Sequence, residues 1–185
     1  MSSLAILILT KNEEDNIVDV VENAKKCTPE VLVIDSGSTD KTVELAQAHG
    51  AKVCFRAWTD DFAAQRNFAL EQTTADWVLY LDADERLNDE LIRSVKAVVD
   101  EGKLDCQFSM ERKSVAFGTK FNHGVLKPDH VARMFPRTTV TWVHKVHEHP
   151  ECDLPLRSLP GHIEHYTYKN WHHWEGKLCQ YTTIW

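Results

Sequence analysis

Three short apolar runs, each ending at a polar cluster, constrain the fold of this chain more than any other feature. They occupy residues 4–9, 31–34 and 77–81, and a helix-like stretch follows each of them. This alternation indicates βα units built around a parallel sheet. Because parallel strands end at one sheet edge, where open α/β sheets bind ligands, the polar clusters are predicted to form one pocket.

The apolar periodicity predicts strands and helices in the first half of the chain and a different pattern after residue 103. Short mixed segments there predict antiparallel strands, and a glycine-containing stretch predicts a loop. We expect strands near 4–10, 30–35, 51–55 and 76–82, helices near 14–26, 39–49, 62–73 and 88–101, antiparallel strands within 104–111, 130–136 and 139–147, and a loop over 117–129.

Tryptophans and other large apolar residues recur at spacings of three and four near the C-terminus and predict a helix over residues 169–185. This helix ends on Trp185 without a capping residue, so we expect that it is cut short. Its apolar stripe predicts packing against a missing segment or a partner, including self-association.

Composition excludes several classes of protein. The net charge is -7 and the pI is near 5.8, which argues against a nucleic-acid-binding protein. The five cysteines are scattered and form no Cys-x-x-Cys pair, which is typical of reduced thiols in a cytoplasmic protein. A strand begins almost at the N-terminus and no apolar run is long enough to span a bilayer, so we expect neither a signal peptide nor a membrane helix.

The segment Asp82-Ala83-Asp84-Glu85 follows the run 77–81 directly and places two carboxylates one residue apart. Two hard oxygen donors at this spacing can hold Mg²⁺ or Mn²⁺, which keep their other positions for water and substrate phosphates. The pattern therefore predicts a substrate that carries a diphosphate. The residues alone leave an alternative open, namely a helix N-cap and first turn, where Asp and Glu are favoured.

Residues 9–14, 33–42, 65–70 and 77–85, in this order and spacing, resemble inverting family 2 glycosyltransferases with the GT-A fold. Residues 143–148, Val-His-Lys-Val-His-Glu, are similar to the VHE segment of a bacterial subgroup. That subgroup includes lipopolysaccharide core β-1,4-glucosyltransferases of the WaaE type. The resemblance implies an α/β fold with a mostly parallel central sheet, flanking helices and a small antiparallel part in the second half.

The resemblance also divides the single predicted domain, residues 1–185, into parts with different roles. Residues 1–102 form the half that binds a nucleotide sugar, residues 103–168 form the acceptor and catalytic half, and residues 169–185 form the C-terminal helix. The implied donor-binding residues are Thr10, Asn12 and Glu13 after the first strand, Asp35, Gly37 and Ser38 after the second, and Arg66, Asp82 and Asp84.

The same resemblance implies a metal site and a general base. It assigns Asp84 as a metal ligand, places Asp82 at the ribose or at a metal-bound water, and adds His165 as a further contact. Glu148 is the implied catalytic base, and its histidine neighbours leave a histidine base as an alternative.

Several of these residues also have a purely structural interpretation. Asn12 and Glu13 could cap the helix that follows, and Arg66 could form a surface ion pair with Asp60 or Asp61. Glu85 is best explained as a carboxylate in the first turn of a helix, and the clustered late histidines leave a structural zinc open.

The expected function is metal-dependent transfer of glucose from UDP-glucose, with inversion, to a bacterial surface glycan such as lipopolysaccharide inner-core heptose. The expected partners are the UDP-sugar donor and a glycan or lipid-linked glycan, with a cytoplasmic location and peripheral contact with the inner membrane. Two alternatives are a sugar-phosphate nucleotidyltransferase and an inactive UDP-binding domain. The acidic segment 10–14 has no glycine, and this disfavours the nucleotidyltransferase.

Overall fold

The first half of the fold has four strands that alternate with helices, as the apolar runs predict, and a fifth, short strand that was not predicted. The computed structural model describes residues 2–145 and 147–168, so the predicted C-terminal helix lies outside the described residues. The elements are β1 (Leu4–Thr10), α1 (Ile17–Lys25), β2 (Glu30–Asp35), α2 (Thr42–Ala48), β3 (Lys52–Phe55), α3 (Phe62–Glu71), β4 (Trp77–Asp82), β5 (Glu85–Leu87) and α4 (Asp89–Glu101).

The second half consists of strands and short 3₁₀ turns. Its predicted loop over 117–129 contains a short strand and a 3₁₀ turn, which the glycines alone do not indicate. The strands are β6 (Gln107–Ala116), β7 (Thr119–Lys120), β8 (Asp129–Pro136), β9 (Thr141–Val143), β10 (His149–Glu151) and β11 (Leu156–Tyr168), and the 3₁₀ turns are Gly124–Leu126 and Arg137–Thr139.

One mixed sheet joins the two halves. Within the described residues it has nine strands in the order β3-β2-β1-β4-β8-β6-β11-β5, with β7 beside β6. The first four strands are parallel, and β8 runs antiparallel to both β4 and β6, as the sequence predicts. The parallel pairing of β6 with β11 was not predicted, because it depends on a crossover between distant segments. Strands β9 and β10 form a separate antiparallel hairpin.

Both faces of the sheet are covered, which explains why β1, β2 and β4 are apolar almost throughout. Alternate residues of β1 face opposite layers: Ile6 and Ile8 pack in the layer of α1 and α4, and Ala5 and Leu7 pack in the layer of α3. Helix α1 buries residues at helical spacing against the first layer, namely Ile17, Val20, Val21 and Ala24.

Local signals explain where the helices begin and end. Asn88 caps α4 by accepting a hydrogen bond from the Leu91 N–H at 2.9 Å. Gly50 follows α2 with a positive φ of +84°, the conformation expected of a glycine after a helix C-terminus. Before α2, the Asp40 carboxylate accepts from the Thr42 N–H at 3.0 Å. Among the described helices, none combines the length and the apolar character that crossing a membrane requires.

Candidate active site

The candidate site lies where β1, β2 and β4 end, so the tertiary structure gathers the predicted polar clusters at one sheet edge. The β1–β2 register pairs Thr10 with Asp35, and the β1–β4 register pairs Leu9 with Asp82. These pairings follow directly from the parallel arrangement, which aligns the carboxyl ends of the strands.

The loops after β1 and β2 are bonded to each other around Asn12. The Asn12 N–H donates to Ser38 Oγ at 2.9 Å, and Asn12 Oδ1 accepts from the Thr39 N–H at 2.8 Å. Asn12 has a φ of +55°, which asparagine tolerates better than most residues. The predicted helix-capping role is therefore not what Asn12 does, because its side chain joins the two loops instead.

Asp35 organises the turn after β2. Its carboxylate accepts from the Gly37 N–H at 2.9 Å, from the Ser38 N–H at 3.0 Å and from the Ser38 hydroxyl at 2.5 Å. Gly37 has a φ of +96°, a conformation that glycine adopts without strain. The Ser38 N–H also lies 3.3 Å from the other carboxylate oxygen, Oδ1, so the turn occupies all of the about four acceptor sites of Asp35.

Glu13 links the start of α1 to α2. Its N–H donates to Thr42 Oγ1 at 2.7 Å, and its carboxylate accepts from the Asn16 side-chain amide at 2.6 Å. The Glu13 carbonyl also accepts from the N–H groups of Asn16 and Ile17, so a role at the helix start is present in the structure. Thr10 is buried, and its hydroxyl has no hydrogen-bond partner among the described residues.

Asp82, at the end of β4, is held by two buried arginines. Arg66 donates to its Oδ1 at 3.2 Å and Arg133 donates to its Oδ2 at 2.8 Å. Burial raises the pKa of the Asp82 carboxyl, but Arg133 and Arg66 outweigh burial and hold that pKa well below its usual range. Both carboxylate oxygens are thus engaged with cations of the protein itself.

Glu85 lies on β5 and is fully buried, so its predicted place in the first turn of a helix is wrong. Helix α4 begins only at Asp89, because Asn88 caps it and the preceding residues extend to pair with β11. Glu85 accepts from the Asp82 N–H at 3.0 Å and from Arg133 at 2.9 Å. Burial raises the pKa of Glu85, and although Arg133 opposes this effect, Asp82 reinforces it.

The structure brings together Asp84 and His165, two of the residues that are predicted to hold a divalent cation. Asp84 Oδ2 lies 3.5 Å from His165 Nε2, and the Tyr166 N–H holds the Asp84 backbone by donating to its carbonyl at 2.8 Å. The described residues contain no group of three or more His, Cys, Asp or Glu arranged around a metal position. A cation here would have one carboxylate and one imidazole as ligands, which fits Mg²⁺ or Mn²⁺ sites that leave positions for phosphates and water. Asp82, the other predicted metal ligand, instead has both of its carboxylate oxygens hydrogen-bonded to Arg66 and Arg133.

Glu148 lies at the end of the turn that joins β9 to β10, and it contacts Arg66. The Nε and Nη2 of Arg66 lie 3.2 and 3.1 Å from the same oxygen of Glu148, Oε1. Its histidine neighbours His144 and His149 have ring centroids 5.0 Å apart. Arg66 therefore joins Glu148 to Asp82.

The predicted surface ion pair of Arg66 with Asp60 or Asp61 is wrong. The Arg66 side chain is buried, and among the described residues it forms ion pairs with Asp82 and Glu148. Asp61 instead caps α3 by accepting from the Ala64 N–H at 2.8 Å, and Asp60 accepts from the Trp58 indole at 2.7 Å. A diphosphate contact of Arg66 stays a prediction.

Sequence reasoning missed Arg133, although a signal was present. Arg133 stands in the otherwise largely apolar segment Val131-Ala132-Arg133-Met134-Phe135 and is 5% exposed. An arginine inside such a strand requires a buried partner, because an unpaired charge in the interior is very costly. Its two partners, Asp82 and Glu85, could be identified only from the tertiary structure.

Comparison with protein families identifies the class of this chain. A sequence model of the protein family described as glycosyl transferase family 2 matches residues 5–147. The chain belongs to glycosyl transferase family 2. This membership confirms the family predicted from residues 9–14, 33–42, 65–70 and 77–85, whereas Glu148 and His165 lie outside the matched range.

Curated relatives of this family 2 domain include glycosyltransferases from bacteria. An uncharacterized glycosyltransferase of Rickettsia typhi, RT0209, is 43% identical over 91 residues, which are 49% of this chain and 31% of the relative. The lipopolysaccharide core biosynthesis glycosyltransferase LpsC of Rhizobium meliloti is 35% identical over 106 residues, covering 53% of this chain and 38% of LpsC. Both matches span less than half of the relative's length.

Solved structures confirm the GT-A fold predicted for the family 2 domain. The structure of S. aureus TarS residues 1–349 superposes with a TM-score of 0.54 and 20% identity, covering 74% of this chain and 47% of that one. At this identity the likeness shows the fold alone. TarS has also been crystallised in complex with UDP-GlcNAc and with UDP.

Proposed function

We propose that this domain belongs to a metal-dependent, inverting glycosyltransferase of the WaaE type. It would move glucose from UDP-glucose to a hydroxyl of a bacterial surface glycan, such as the heptose of the lipopolysaccharide inner core. Family membership supports sugar transfer, and the name of LpsC supports the class of acceptor. The UDP complexes of TarS, which has the same fold, are consistent with a UDP-sugar donor.

One observation carries the proposal: Arg66 links Asp82, at the end of β4, to Glu148 on the β9–β10 hairpin. Through this link Glu148, the candidate base, is joined to Asp82, although the two residues are far apart in sequence. An inverting transfer is an in-line displacement that needs a base on the face opposite the leaving group. This arrangement supports Glu148 rather than a histidine as the base.

In the proposed reaction, Glu148 accepts the proton of the acceptor hydroxyl while the hydroxyl oxygen bonds to the anomeric carbon of the sugar. The bond between that carbon and the diphosphate oxygen breaks, and UDP leaves with the electron pair. Asp84 and His165 would hold the metal, which when bound supplies Lewis-acid stabilisation of charge on the leaving diphosphate.

The joined loops after β1 and β2 would bind the uridine. Asp35 would accept from the ring N–H of uracil in exchange for one of its hydrogen bonds within the turn. Glu13 and Thr10 would contact the ribose side, and the Gly37-Ser38 turn allows close approach of the ligand to the backbone. Asn12 contributes by keeping the two loops together.

Two substitutions test the proposed roles separately. Asp84→Asn is expected to weaken binding of UDP in the presence of Mn²⁺ by about tenfold or more, because an amide is a poorer ligand than a carboxylate. Glu148→Gln is expected to lower turnover by ~10²-fold or more while UDP binding is retained, as for loss of a general base. Calorimetric titration with UDP and assays of UDP release measure the two effects.

The exposed Asp100 on α4 offers a matched control, since Asp100→Asn makes the same chemical change away from the site. It is expected to bind UDP like the parent protein. Unchanged metal-dependent binding by Asp84→Asn would remove Asp84 from the metal site. A parental rate in Glu148→Gln would show that another group is the base.

A further inference from the structure

Helix α3 carries two consecutive residues, Arg66 and Asn67, that both contact the part of the fold bearing Glu148. The Asn67 amide donates to the Trp142 carbonyl at 2.8 Å, and its Oδ1 accepts from the Trp142 N–H at 2.9 Å. Asn67 thus bonds the backbone of β9 as a neighbouring strand would. Trp142 stands opposite Pro150 on β10, and because proline has no N–H, it cannot donate to the Trp142 carbonyl that Asn67 reaches.

The Trp142 side chain covers the Arg66 guanidinium. The guanidinium carbon lies 4.5 Å from the Trp142 ring centroid and 5.6 Å from that of Tyr80. The Tyr80 hydroxyl also donates to the Arg66 carbonyl at 3.0 Å. A cation held over aromatic faces in a buried site is restrained in position as well as stabilised.

The restrained guanidinium directs its Nε and Nη2 to Oε1 of Glu148. Because both bonds go to one oxygen, the second oxygen is the one that can take up a proton. Glu148 is thereby positioned twice: its hairpin is attached to α3 through Asn67, and its carboxylate is oriented by Arg66.

We propose that Asn67, Trp142 and Arg66 form one positioning unit that sets the orientation of the Glu148 carboxylate toward the acceptor hydroxyl. The inference rests on the proposed role of Glu148 as base. It adds that Asn67, which touches neither donor nor acceptor in this scheme, governs the rate of transfer. A displacement of a reacting group by about 1 Å can lower a rate ~10²-fold.

The test measures steady-state release of UDP from a panel of UDP-sugars, with lipopolysaccharide inner core as acceptor. Asn67→Ala is expected to lower kcat about tenfold or more, while the KM for the donor and the affinity for UDP with Mn²⁺ change less than about twofold. In the Glu148→Gln background, Asn67→Ala is expected to cause no further loss, because the group that it positions is already gone.

Asn23 on α1 provides the matched control. Its side chain makes the same pair of backbone bonds, to the Leu87 N–H at 2.8 Å and the Leu87 carbonyl at 2.9 Å, but it holds β5 rather than β9. Asn23→Ala is expected to destabilise the protein to a similar extent while retaining kcat. Trp142→Phe keeps an aromatic ring at the site and is expected to lower kcat several-fold, which tests the unit without removing the Asn67 bonds.

The outcomes separate the inference from the proposed function. Absence of turnover in the parent protein, or a normal rate in Glu148→Gln, would contradict the proposed function. If Glu148→Gln behaves as expected, the inference is overturned by a parental kcat in Asn67→Ala and Trp142→Phe. An equal loss from Asn67→Ala in both backgrounds would overturn it too, since that result indicates a general structural effect.

Discussion

At the scale of single residues, Arg133 balances the buried charges beneath the candidate site. One of its nitrogens, Nη2, lies 2.8 Å from Asp82 and 2.9 Å from Glu85. Burial lowers the pKa of Arg133, but Asp82 and Glu85 outweigh burial and raise it, so the arginine stays charged. Asp82 therefore presents a fixed, ionised carboxylate at the end of β4.

Arg133→Met is expected to destabilise the protein by about 3–5 kcal/mol, because it removes the nearest counter-charge of the fully buried Glu85 and one of the two arginines that hold Asp82. Arg112→Met provides the comparison. Arg112 lies 3.5 Å from Glu85 and pairs at 2.7 Å with the exposed Asp129, so its loss is expected to cost about 1 kcal/mol or less. Urea unfolding measures both values, and similar losses in the two variants would contradict the assigned importance of Arg133.

At the scale of elements, the contact of β11 with the start of α4 determines how the second half joins the first. Asn88 Oδ1 caps α4 and also accepts from the His162 N–H on β11 at 3.0 Å. Between Ser158 and His162 the register of β11 against β6 shifts, and Gly161 lies in this irregular stretch with a φ of +95°. This contact between β11 and the start of α4 places β11 beside β5, and His165 on β11 then lies close to Asp84.

Gly161→Ala is expected to destabilise the protein more than Gly118→Ala. A Cβ at position 161 would lie 2.3 Å from the Leu91 backbone nitrogen, whereas one at position 118 would have no neighbour within 4 Å. Both glycines have a positive φ, so each substitution incurs a strain of about 1–2 kcal/mol. The overlap with α4 adds about 1–3 kcal/mol at position 161 only. Equal midpoints and slopes of urea unfolding for Gly161→Ala and Gly118→Ala would refute the overlap.

At the scale of the whole molecule, the linked charges make stability depend on pH. The pKa of Asp82 is lower in the folded protein than its ordinary value, so the unfolded chain binds more protons in acid. The stabilisation that Asp82 contributes is therefore present above its ordinary pKa of about 4 and is lost as the pH falls below it. The pKa of Glu85 is raised in the folded protein, so the contribution of Glu85 to stability decreases as the pH rises above its ordinary pKa.

The free energy of unfolding is expected to fall as the pH is lowered from about 5 to 3, and Asp82→Asn is expected to make this fall shallower. Urea unfolding at a series of pH values measures both slopes. An identical acid slope in the variant would show that other carboxylates, such as Asp76 and Asp129, account for the dependence. The pKa of each is also lowered: Ser3 hydrogen bonds are the main cause for Asp76, and Arg112 outweighs burial for Asp129.

The sequence by itself determined strands β1 to β4, helices α1 to α4 and the edge at which the site forms, but not β5. Apolar runs with defined periods and polar ends specify βα units locally, and parallel strands then align Thr10, Asp35 and Asp82. The caps at Asn88 and Gly50 are local as well, because each depends on neighbouring residues only. The resemblance of the motifs was also sufficient to identify the family.

The tertiary structure alone decided which distant side chains meet. The partners of Arg66, Arg133 and Glu85 lie on other elements, and no local pattern encodes a contact that depends on strand order. The parallel pairing of β11 with β6 and its contact with β5 bring His165 to Asp84, and the attachment of β9 to α3 brings Glu148 to Arg66. Local propensity specifies the elements, whereas burial and charge pairing across the assembled sheet specify the site.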